Sequence, residues 1–306
     1  MQNINIVLTS DQKYAVPLIA TVTSVLENNK KNNHIIFHIL ENEIKGNVKL
    51  KIQNLEKKYN CRVIFYNFNL YNTKKLPIYD HLSKAVYLRL FIQDILSSDI
   101  KKIIYLDCDI VCLDDISYLY NENIENFPIG VITDIKSKDL IRLKRFNVEK
   151  YFNSGVMLIN LIKWKKIVNI DSISSIIEKQ DNKLVDADQE ILNILFNNNY
   201  KELPKKYNLD LKHQIFKKVP KNTVILHYSD KVKPWSEIYP YKIKKYFFKY
   251  LSLNYQFLKT NNSFFIFIKK QKLYFTNLIK NILRPITPKR LLDLNKKRFF
   301  KKRENS

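Results

Sequence analysis

Two aspartates separated by one residue, Asp107 and Asp109, stand directly behind the apolar run Ile103–Leu106. A continuous apolar run of this kind is typical of a strand buried on both faces of an α/β sheet. Carboxylates inside such a strand would be costly to desolvate, so we expect them where the strand ends and a cleft opens. On an extended chain the two aspartates face one side, while Cys108 between them faces the core. Crowded carboxylate oxygens are ligands for Mg²⁺ or Mn²⁺, ions that also bind substrate phosphates.

Ordinary turn and capping chemistry is the alternative for every carboxylate of this chain. Aspartates after strands are common in turns, and the pair at 114–115 fits that description. Asp11 follows the first predicted strand and could cap the next helix. Asp186 and Asp188 begin a predicted helix, where the macrodipole favours acidic side chains. His227 closes a predicted strand, and a single histidine there is ordinarily structural.

Composition excludes several classes of protein. The chain has 306 residues, enough for one large α/β domain with an appendage. Gly46, Gly130 and Gly155 are its three glycines, and their separation excludes a glycine-rich phosphate loop. The three cysteines fit neither a disulfide framework nor a zinc finger, which indicates a reducing compartment. We predict no signal peptide, and no apolar run reaches the roughly 18 residues that span a bilayer.

The positive charge is concentrated at the C-terminal end. Residues 241–306 carry 18 Lys and Arg against 2 Asp and Glu, a net charge of +16, whereas residues 1–240 carry 35 against 27, a net of +8. Aromatic residues alternate with the lysines of this segment, which predicts helices on an anionic membrane surface. The alternative is a set of helices packed on the domain with solvated lysines. Nucleic acid is not the predicted partner, because carboxylate clusters at strand ends would repel a polyanion.

Strands and helices alternate along the first part of the chain. This βαβαβ rhythm predicts a parallel sheet, and a helix over 81–95 would carry Arg89 as a solvated side chain. The histidines of the second strand, His34 and His38, are predicted to be structural. The predicted strands cover 3–9, 34–40, 61–68, 103–106, 129–133 and 223–228, and the predicted helices cover 14–26, 47–59, 81–95 and 186–196.

Several motifs follow one another in a fixed order over residues 3–240. They are an N-terminal strand with Asp11 and Tyr14, a segment at 83–90, YLDCD, FNSGVMLINL followed by KW, DADQEILN, and HYSDKVKPW. In this order they resemble glycosyltransferase family 8, the retaining enzymes that transfer hexoses from UDP-sugars, particularly the bacterial lipopolysaccharide and lipooligosaccharide galactosyl- and glucosyltransferases. The resemblance implies an α/β GT-A fold with residues 1–240 as the catalytic domain, and the basic, aromatic composition of residues 241–306 predicts a membrane-associating tail.

The resemblance also implies a cofactor and substrates. The cofactor is Mn²⁺, with Mg²⁺ as the alternative, and the substrates are a UDP-hexose donor and an oligosaccharide or lipid-linked saccharide acceptor. The composition of the tail, the free cysteines and the absence of a predicted signal peptide predict a cytoplasmic location, with the tail holding the enzyme peripherally on the inner face of the cytoplasmic membrane, beside a lipid-linked acceptor.

Each matching position receives a role from the same resemblance. Asp107, Asp109 and His227 are the implied metal ligands. Asp11 and Tyr14 are implied at the uracil. The positions implied around the reacting sugar are Asp134, Asp188 and Gln189, with Gln189 under the anomeric carbon. The positions implied in donor binding are Thr9, Asp11, Tyr14, Arg89, Asp107, Cys108, Asp109, Asn153 and Lys233.

Two positions raise questions about the chemistry. An amide oxygen such as that of Gln189 is a poor nucleophile beside the carboxylate of retaining glycosidases, which favours attack on the same face as the departing diphosphate. Asp230 replaces the glycine of the family pattern His-x-x-Gly-x-x-Lys-Pro-Trp and brings a negative charge toward the phosphates. This replacement keeps open a catalytically weakened UDP-sugar-binding protein as an alternative. A nucleotidyltransferase is a further alternative, but such enzymes generally need a triphosphate loop, and the sequence has none.

Overall fold

The computed structural model describes residues 2–67, 87–133, 139–180, 184–211, 218–236 and 239–253. The described strands form a larger and a smaller sheet. In chain order they are β1 (Asn3–Asp11), β2 (His34–Asn42), β3 (Cys61–Asn67), β4 (Lys102–Leu106), β5 (Ile110–Cys112), β6 (Ile129–Val131), β7 (Val156–Asn160), β8 (Lys201–Glu202), β9 (Leu209–Asp210) and β10 (Ile225–His227).

The helices flank these sheets and connect their strands. In chain order the α-helices are α1 (Ala15–Glu27), α2 (Gly46–Gln53), α3 (Ile92–Ile95), α4 (Ser117–Tyr120), α5 (Asp139–Phe146), α6 (Leu161–Trp164), α7 (Ile170–Lys179), α8 (Ala187–Leu195) and α9 (Tyr241–Ser252). Single 3₁₀ turns cover Asn54–Lys57, Leu88–Phe91 and Lys205–Tyr207.

The larger sheet is mixed and mostly parallel, with the strand order β3-β2-β1-β4-β7-β6-β8. β1 pairs in parallel with β2 and with β4, and β2 pairs in parallel with β3, as the βαβαβ rhythm predicted. β7 runs antiparallel to both of its neighbours, β4 and β6. The smaller sheet has the order β5-β10-β9.

Strand register brings several chain segments to one edge of the larger sheet. Leu8 pairs with Leu106, so the last residues of β1, Thr9–Asp11, lie beside the residues that follow β4. Leu106 also pairs with Val156 of the antiparallel β7, so the residues that precede β7 lie at this same edge. In the smaller sheet, His227 pairs with Ile110, which places the end of β10 beside the turn that follows β4. This edge corresponds to the carboxyl ends of the parallel strands, where α/β sheets bind ligands.

Both faces of the central strands are buried. Leu8 and Leu106 belong to one apolar cluster, which includes α1, whereas Val7 and Tyr105 belong to a second cluster on the other face, together with Trp164. This division follows from the alternation of side chains along a strand. It also explains why Ile6–Leu8 of β1 and Ile103–Leu106 of β4 are continuous apolar runs in the sequence.

The predicted helix over 81–95 differs from what the structure describes. Residues 81–86 lie outside the described residues, and the remainder forms the 3₁₀ turn Leu88–Phe91 followed by the single turn α3. The 3₁₀ turn directs Leu88, Arg89 and Leu90 all into the protein, where each is buried.

Helix α9, at the start of the predicted basic tail, packs on α1 and β5. Phe247 and Leu251 of this helix are fully buried, and Tyr228 donates a hydrogen bond from its hydroxyl to Ile243 O. Residues 254–306 lie outside the described residues, so the division of the chain at residue 240 stays a prediction. Among the helices of the described ranges, none is long and apolar enough to cross a membrane.

Candidate active site

The segment from Asp107 to Asp109 is a turn that begins where β4 ends. Asp107 Oδ1 accepts hydrogen bonds from Tyr105 Oη and Arg89 Nη2, both at 2.9 Å. Cys108 is buried and donates from Sγ to Thr9 O at 3.1 Å. The prediction that the carboxylates and the thiol face opposite ways is therefore confirmed, although a turn rather than an extended strand separates them. Burial raises the pKa of the Cys108 thiol well above its usual value, so the thiol stays protonated.

Asp107, Asp109 and His227 form a cluster that could hold a metal ion. One ligand atom from each lies within 4.8 Å of the others. His227 Nε2 is 3.3 Å from Asp109 Oδ1 and 3.9 Å from Asp107 Oδ2. Asp109 Oδ1 is buried against His227 Nε2 without a well-aligned hydrogen bond, which leaves its lone pairs available to a cation. Two carboxylates and one imidazole suit a divalent ion such as Mn²⁺ or Mg²⁺.

Gly155 lies directly against this cluster. A Cβ atom at this position would be 2.3 Å from His227 Cε1 and 2.6 Å from Asp107 Oδ2. Both separations are far below van der Waals contact, so any larger residue would displace a ligand. The main chain adds a further constraint, because Asp107 N donates to Gly155 O at 2.8 Å. The Asn-Ser-Gly motif therefore requires glycine at this position, because the metal-ligand cluster leaves no space for a side chain.

Lys233 and His227 compensate the charge of Asp109. Lys233 Nζ donates to Asp109 Oδ2 at 2.6 Å and to Tyr228 O at 2.9 Å. Burial opposes ionisation of Asp109, but these two cationic partners hold its pKa below the usual range. Burial likewise opposes the charged form of His227, and Asp109 and Asp107 outweigh that effect and raise the pKa of the imidazole. In the metal-free protein a proton on the imidazole therefore helps to neutralise the carboxylates.

Arg89 is buried between two carboxylates from distant segments. Its Nη2 contacts Asp107, and its Nε lies 2.7 Å from Asp188 Oδ2. Nη1 donates to Ser154 O at 3.2 Å, and the guanidinium carbon lies 4.7 Å from the centre of the Tyr105 ring. Burial raises the pKa of Asp188 to about 6 against the opposing charge of Arg89. The interpretation of Arg89 as a solvated side chain is wrong, because this pairing makes its burial possible.

Gln189 is tied by hydrogen bonds to the segment before β7. Its Oε1 accepts from Asn153 Nδ2 and from Ser154 N, both at 3.1 Å, and its Nε2 donates to Tyr151 Oη at 3.3 Å. Asn153 Oδ1 in turn accepts from Gly155 N at 3.0 Å. These bonds confirm that the two motifs FNSG and DADQ meet in space, and they fix the direction in which each amide points.

Asp11 and Tyr14 lie at the entry to α1. Asp11 Oδ1 accepts from Tyr14 N at 2.9 Å in the turn before α1, but the N-cap residue of this helix is Tyr14 and no side chain caps it, so the helix-cap interpretation of Asp11 is wrong. The Tyr14 ring packs edge-on against Trp235 at 5.8 Å between centroids, and Trp235 packs at 5.4 Å against Phe247 of α9. Burial raises the pKa of Tyr14, and the charge of Lys233 opposes that rise.

Two residues of the network were not predicted from the sequence. Tyr105 bonds Asp107 and also shares a 2.9 Å hydrogen bond with Thr9 Oγ1, but in the sequence it is one more apolar residue of a strand. Asn208 Oδ1 lies 3.0 Å from His227 Nδ1. No pattern marks Asn208, because its importance depends on the pairing of β9 with β10.

Two further positions complete the comparison with the sequence predictions. Asp134 lies outside the described residues, so its predicted role near the donor sugar stays a prediction. Asp230 accepts a hydrogen bond from Lys231 N at 2.7 Å. Its backbone is not among the described non-glycine residues of positive φ, so the turn does not depend on the conformational freedom of glycine at this position.

Comparison with known proteins places this geometry in a family. The model of the glycosyl transferase family 8 matches residues 5–239. A lipopolysaccharide 1,2-glucosyltransferase of Escherichia coli is 32% identical over 258 residues, covering 78% of this chain and 74% of that protein. The protein of the same name from Escherichia coli strain K12 is 28% identical over 258 residues, covering 80% of this chain and 76% of its own length.

A solved structure of similar fold extends the comparison. The crystal structure of the galactosyltransferase LgtC, in complex with donor and acceptor sugar analogues, matches with a TM-score of 0.69 at 23% identity and covers 81% of this chain and 95% of that one. This likeness confirms the predicted GT-A fold, a mostly parallel mixed sheet flanked by helices. By sequence and by fold, the chain belongs to glycosyl transferase family 8.

Proposed function

We propose that this chain transfers a hexose, glucose or galactose, from a UDP-sugar to a saccharide acceptor with retention of the anomeric configuration. The cluster of Asp107, Asp109 and His227 beside the end of β4 is the observation that carries this proposal. Relatives named lipopolysaccharide 1,2-glucosyltransferases support a lipopolysaccharide or lipooligosaccharide acceptor. The acceptor is then an oligosaccharide or a lipid-linked saccharide.

The proposed cofactor is Mn²⁺, with Mg²⁺ as the alternative. Asp107 and Asp109 supply hard oxygens, and His227 supplies a borderline nitrogen, a mixture that suits Mn²⁺. When bound, the ion supplies a Lewis acid and a template for the two phosphates of UDP. Lys233 stands next to this position and adds a further positive charge for the diphosphate. Arg89 holds Asp107 in place from the opposite side.

The donor sugar is proposed to lie over Asn153, Asp188 and Gln189. At pH 7 the carboxylate of Asp188, with a pKa of about 6, is mostly ionised and can accept a hydrogen bond from a sugar hydroxyl. Gln189 Oε1 already accepts two hydrogen bonds, which engages its lone pairs and makes it a still weaker nucleophile. This arrangement favours same-face attack. The acceptor oxygen bonds to the anomeric carbon as the bond to UDP breaks, and the departing phosphate takes the proton of the acceptor hydroxyl.

A panel of UDP-sugars tests this proposal. Each sugar nucleotide is incubated with the protein and Mn²⁺, and slow transfer to water is measured as release of UDP. We expect one UDP-hexose to be hydrolysed, with loss of activity in excess EDTA and recovery on addition of Mn²⁺. Asp109→Asn should abolish this activity. Asp114→Asn is the matched control, because Asp114 forms an ion pair with the exposed Lys30 and accepts a turn hydrogen bond from Asp115 N, which an amide oxygen can also accept, so the substitution should cost less than about 1 kcal/mol.

Each failure of the panel has a separate meaning. Full activity in excess EDTA would overturn the metal assignment. Binding of a UDP-sugar without transfer to water or saccharide would favour the alternative that Asp230 raises, a catalytically weakened UDP-sugar-binding protein. Absence of UDP-sugar binding altogether would refute the proposed function.

We also propose that the basic C-terminal segment holds the protein on the inner face of the cytoplasmic membrane. The net charge of +16 over residues 241–306 supports this proposal, at about 1 kcal/mol for each basic residue that reaches an anionic surface. The described helix α9 packs on the protein body, so the proposed contact rests on the composition of residues 254–306. A peripheral enzyme of this kind would lie beside a lipid-linked acceptor.

A further inference from the structure

Asn208 links two parts of the active site that no single motif contains. It is buried, with 5% of its surface exposed, and it directly precedes β9. Its Oδ1 lies 3.0 Å from His227 Nδ1, and its Nδ2 lies 3.1 Å from Asn153 Oδ1. One amide therefore joins the imidazole of the metal-ligand cluster to the residue beside Gln189.

The backbone determines the direction of this amide. Gly155 N–H can only donate, so the atom of Asn153 that faces it is the oxygen. The same oxygen faces Asn208, which must therefore present its NH₂ group there. Ser154 N–H is a second backbone donor, so the atom of Gln189 that faces it is the oxygen Oε1. Asn153 Nδ2 donates to the same oxygen, which is consistent with the direction of the Asn153 amide. Asn208 Oδ1 is left facing the imidazole.

An oxygen at this position selects one tautomer of the imidazole. Asn208 Oδ1 can only accept, so His227 Nδ1 must carry the hydrogen. The neutral ring then has its lone pair on Nε2, the nitrogen that lies 3.3 Å from Asp109 Oδ1. A histidine ligand whose second nitrogen is fixed in this way presents the correct nitrogen to a metal.

We propose that Asn208 is a positioning residue, which fixes the Nδ1–H tautomer of His227 for the divalent ion and couples this ligand to Asn153 on the donor-sugar side. The inference rests on the proposed function, because it assumes that the cluster binds a divalent ion. The two halves of the amide have separate roles. The oxygen accepts the hydrogen bond from His227 Nδ1, and the nitrogen donates to Asn153 Oδ1 on the donor-sugar side.

The first test examines the tautomer in the wild-type protein. Nitrogen-15 NMR of the metal-free chain, taken to a pH at which the His227 signals are those of a neutral ring, reports which ring nitrogen carries the hydrogen. The chain has five histidines, and the signals missing from His227→Gln identify those of His227. We expect hydrogen on Nδ1 and a bare Nε2. Hydrogen on Nε2 would overturn the inference, whatever any other variant does.

The second test separates the two halves of the amide by substitution. Asn208→Leu removes both hydrogen bonds, and we expect Mn²⁺ affinity, followed by electron paramagnetic resonance of free Mn²⁺, to fall about 10- to 100-fold. Asn208→Asp keeps an acceptor for Nδ1–H but sets an oxygen against Asn153 Oδ1. This variant should retain Mn²⁺ affinity while its KM for the UDP-sugar rises. Asn33→Leu is the matched control, because Asn33 is equally buried, at 6% exposed, and precedes β2 at the opposite edge of the sheet.

The outcomes distinguish this inference from the proposed function. Wild-type protein that binds no Mn²⁺ would refute the metal site itself, whereas the tautomer measurement needs no metal. Unchanged Mn²⁺ affinity in Asn208→Leu, or an equal loss in Asn208→Asp, would overturn the positioning role. An equal loss in Asn33→Leu would mean that general destabilisation and not the imidazole contact lowers the affinity, and it would overturn the inference as well.

Discussion

Replacement of Gly155 by alanine tests the metal-ligand cluster with a single added methyl group. The new Cβ would lie 2.3 Å from His227 Cε1, whereas ordinary contact begins at 3.4 Å, so the imidazole must retreat by about 1 Å. Asp107 Oδ2 must retreat by about 0.8 Å, from 2.6 Å to the same limit. Ligand distances in metal sites are fixed to within about 0.2 Å, so displacements of this size disrupt the ligand set.

The expected loss can be bounded from below. Disturbing a group behind a metal ligand typically costs 10- to 100-fold in affinity, and here two ligands themselves must move. We therefore expect Gly155→Ala to weaken Mn²⁺ binding by at least about 100-fold, which corresponds to about 2.7 kcal/mol. Overpacking should also lower the free energy of unfolding by about 1–3 kcal/mol.

The other two glycines of the chain provide matched controls for the same substitution. None of the three glycines has a positive φ, so the effect of an alanine at each position depends on the space around its Cβ and not on backbone strain. At Gly130 the Cβ would meet Leu203 Cδ1 at 3.0 Å and Ile124 Cγ2 at 3.1 Å, which predicts a modest loss of stability without any loss of Mn²⁺ affinity. Gly46 begins α2 with nothing within 4 Å, so Gly46→Ala should raise the free energy of unfolding by up to about 1 kcal/mol.

Mn²⁺ titration and thermal denaturation of all three variants, with and without Mn²⁺, form the assay. We expect Mn²⁺ to raise the melting temperature of the wild type, Gly130→Ala and Gly46→Ala, and to have little effect on that of Gly155→Ala. Wild-type Mn²⁺ affinity in Gly155→Ala would refute the crowding argument. Equal losses in Gly155→Ala and Gly130→Ala would assign the effect to folding and not to the ligands.

Three further predictions concern other parts of the chain. Arg89→Met should lower the free energy of unfolding by about 3–5 kcal/mol in chemical denaturation, because it leaves the buried Asp188 and the half-buried Asp107 without their cation; a loss below 1 kcal/mol would contradict the pairing. Burial, aided by the charge of Arg62 and opposed by that of Asp99, lowers the pKa of His38 from 6.5 to about 4. Between these two pH values the unfolded chain binds more protons at His38 than the folded chain does. The free energy of unfolding should therefore fall by up to about 3 kcal/mol as the pH drops from 6.5 to 4. His38→Gln should weaken this acid dependence in urea unfolding, and an unchanged pH profile would contradict the assignment. Truncation after Leu253, which keeps α9, should abolish salt-sensitive flotation with anionic liposomes while UDP-sugar hydrolysis persists; equal flotation of both chains would exclude the proposed membrane role.

The central strands were predictable because a strand that is buried on both faces is rich in apolar residues. Ile103–Leu106 of β4 is an unbroken apolar run, and β1 and β2 are rich in isoleucine and other apolar residues; each of the three strands lies within two residues of its predicted bounds. The turn at Asp107–Asp109 was predictable for the same reason, since charged residues that interrupt such a run must leave the sheet. The prediction of structural histidines also holds, because His34 and His38 bond to neighbouring side chains of the sheet region.

The environment of Arg89 could not be predicted from local patterns. In the sequence it stands among apolar residues, and the physical default is a long side chain that reaches solvent. Its actual partners, Asp107 and Asp188, lie 18 and 99 residues away along the chain. Asn208 was missed for a related reason, because its partners on either side, His227 and Asn153, come from other segments. Pairings of this kind exist only after the sheet has brought distant segments to one edge.

The placement of unfavourable residues argues for function independently of any family. Arg89 and Asp109 are buried charges, and Asn208 is a buried amide in a region that apolar side chains could fill. Replacing buried ionic groups by well-packed apolar residues is often neutral or stabilising, so folding alone does not require them. Gly155 adds a position where even one methyl group is excluded by charged neighbours. These four residues all lie around the end of β4, whereas the strands that lead to this point are largely apolar. Residues that folding does not require are therefore concentrated at one place, which indicates that the chemistry of a functional site requires them.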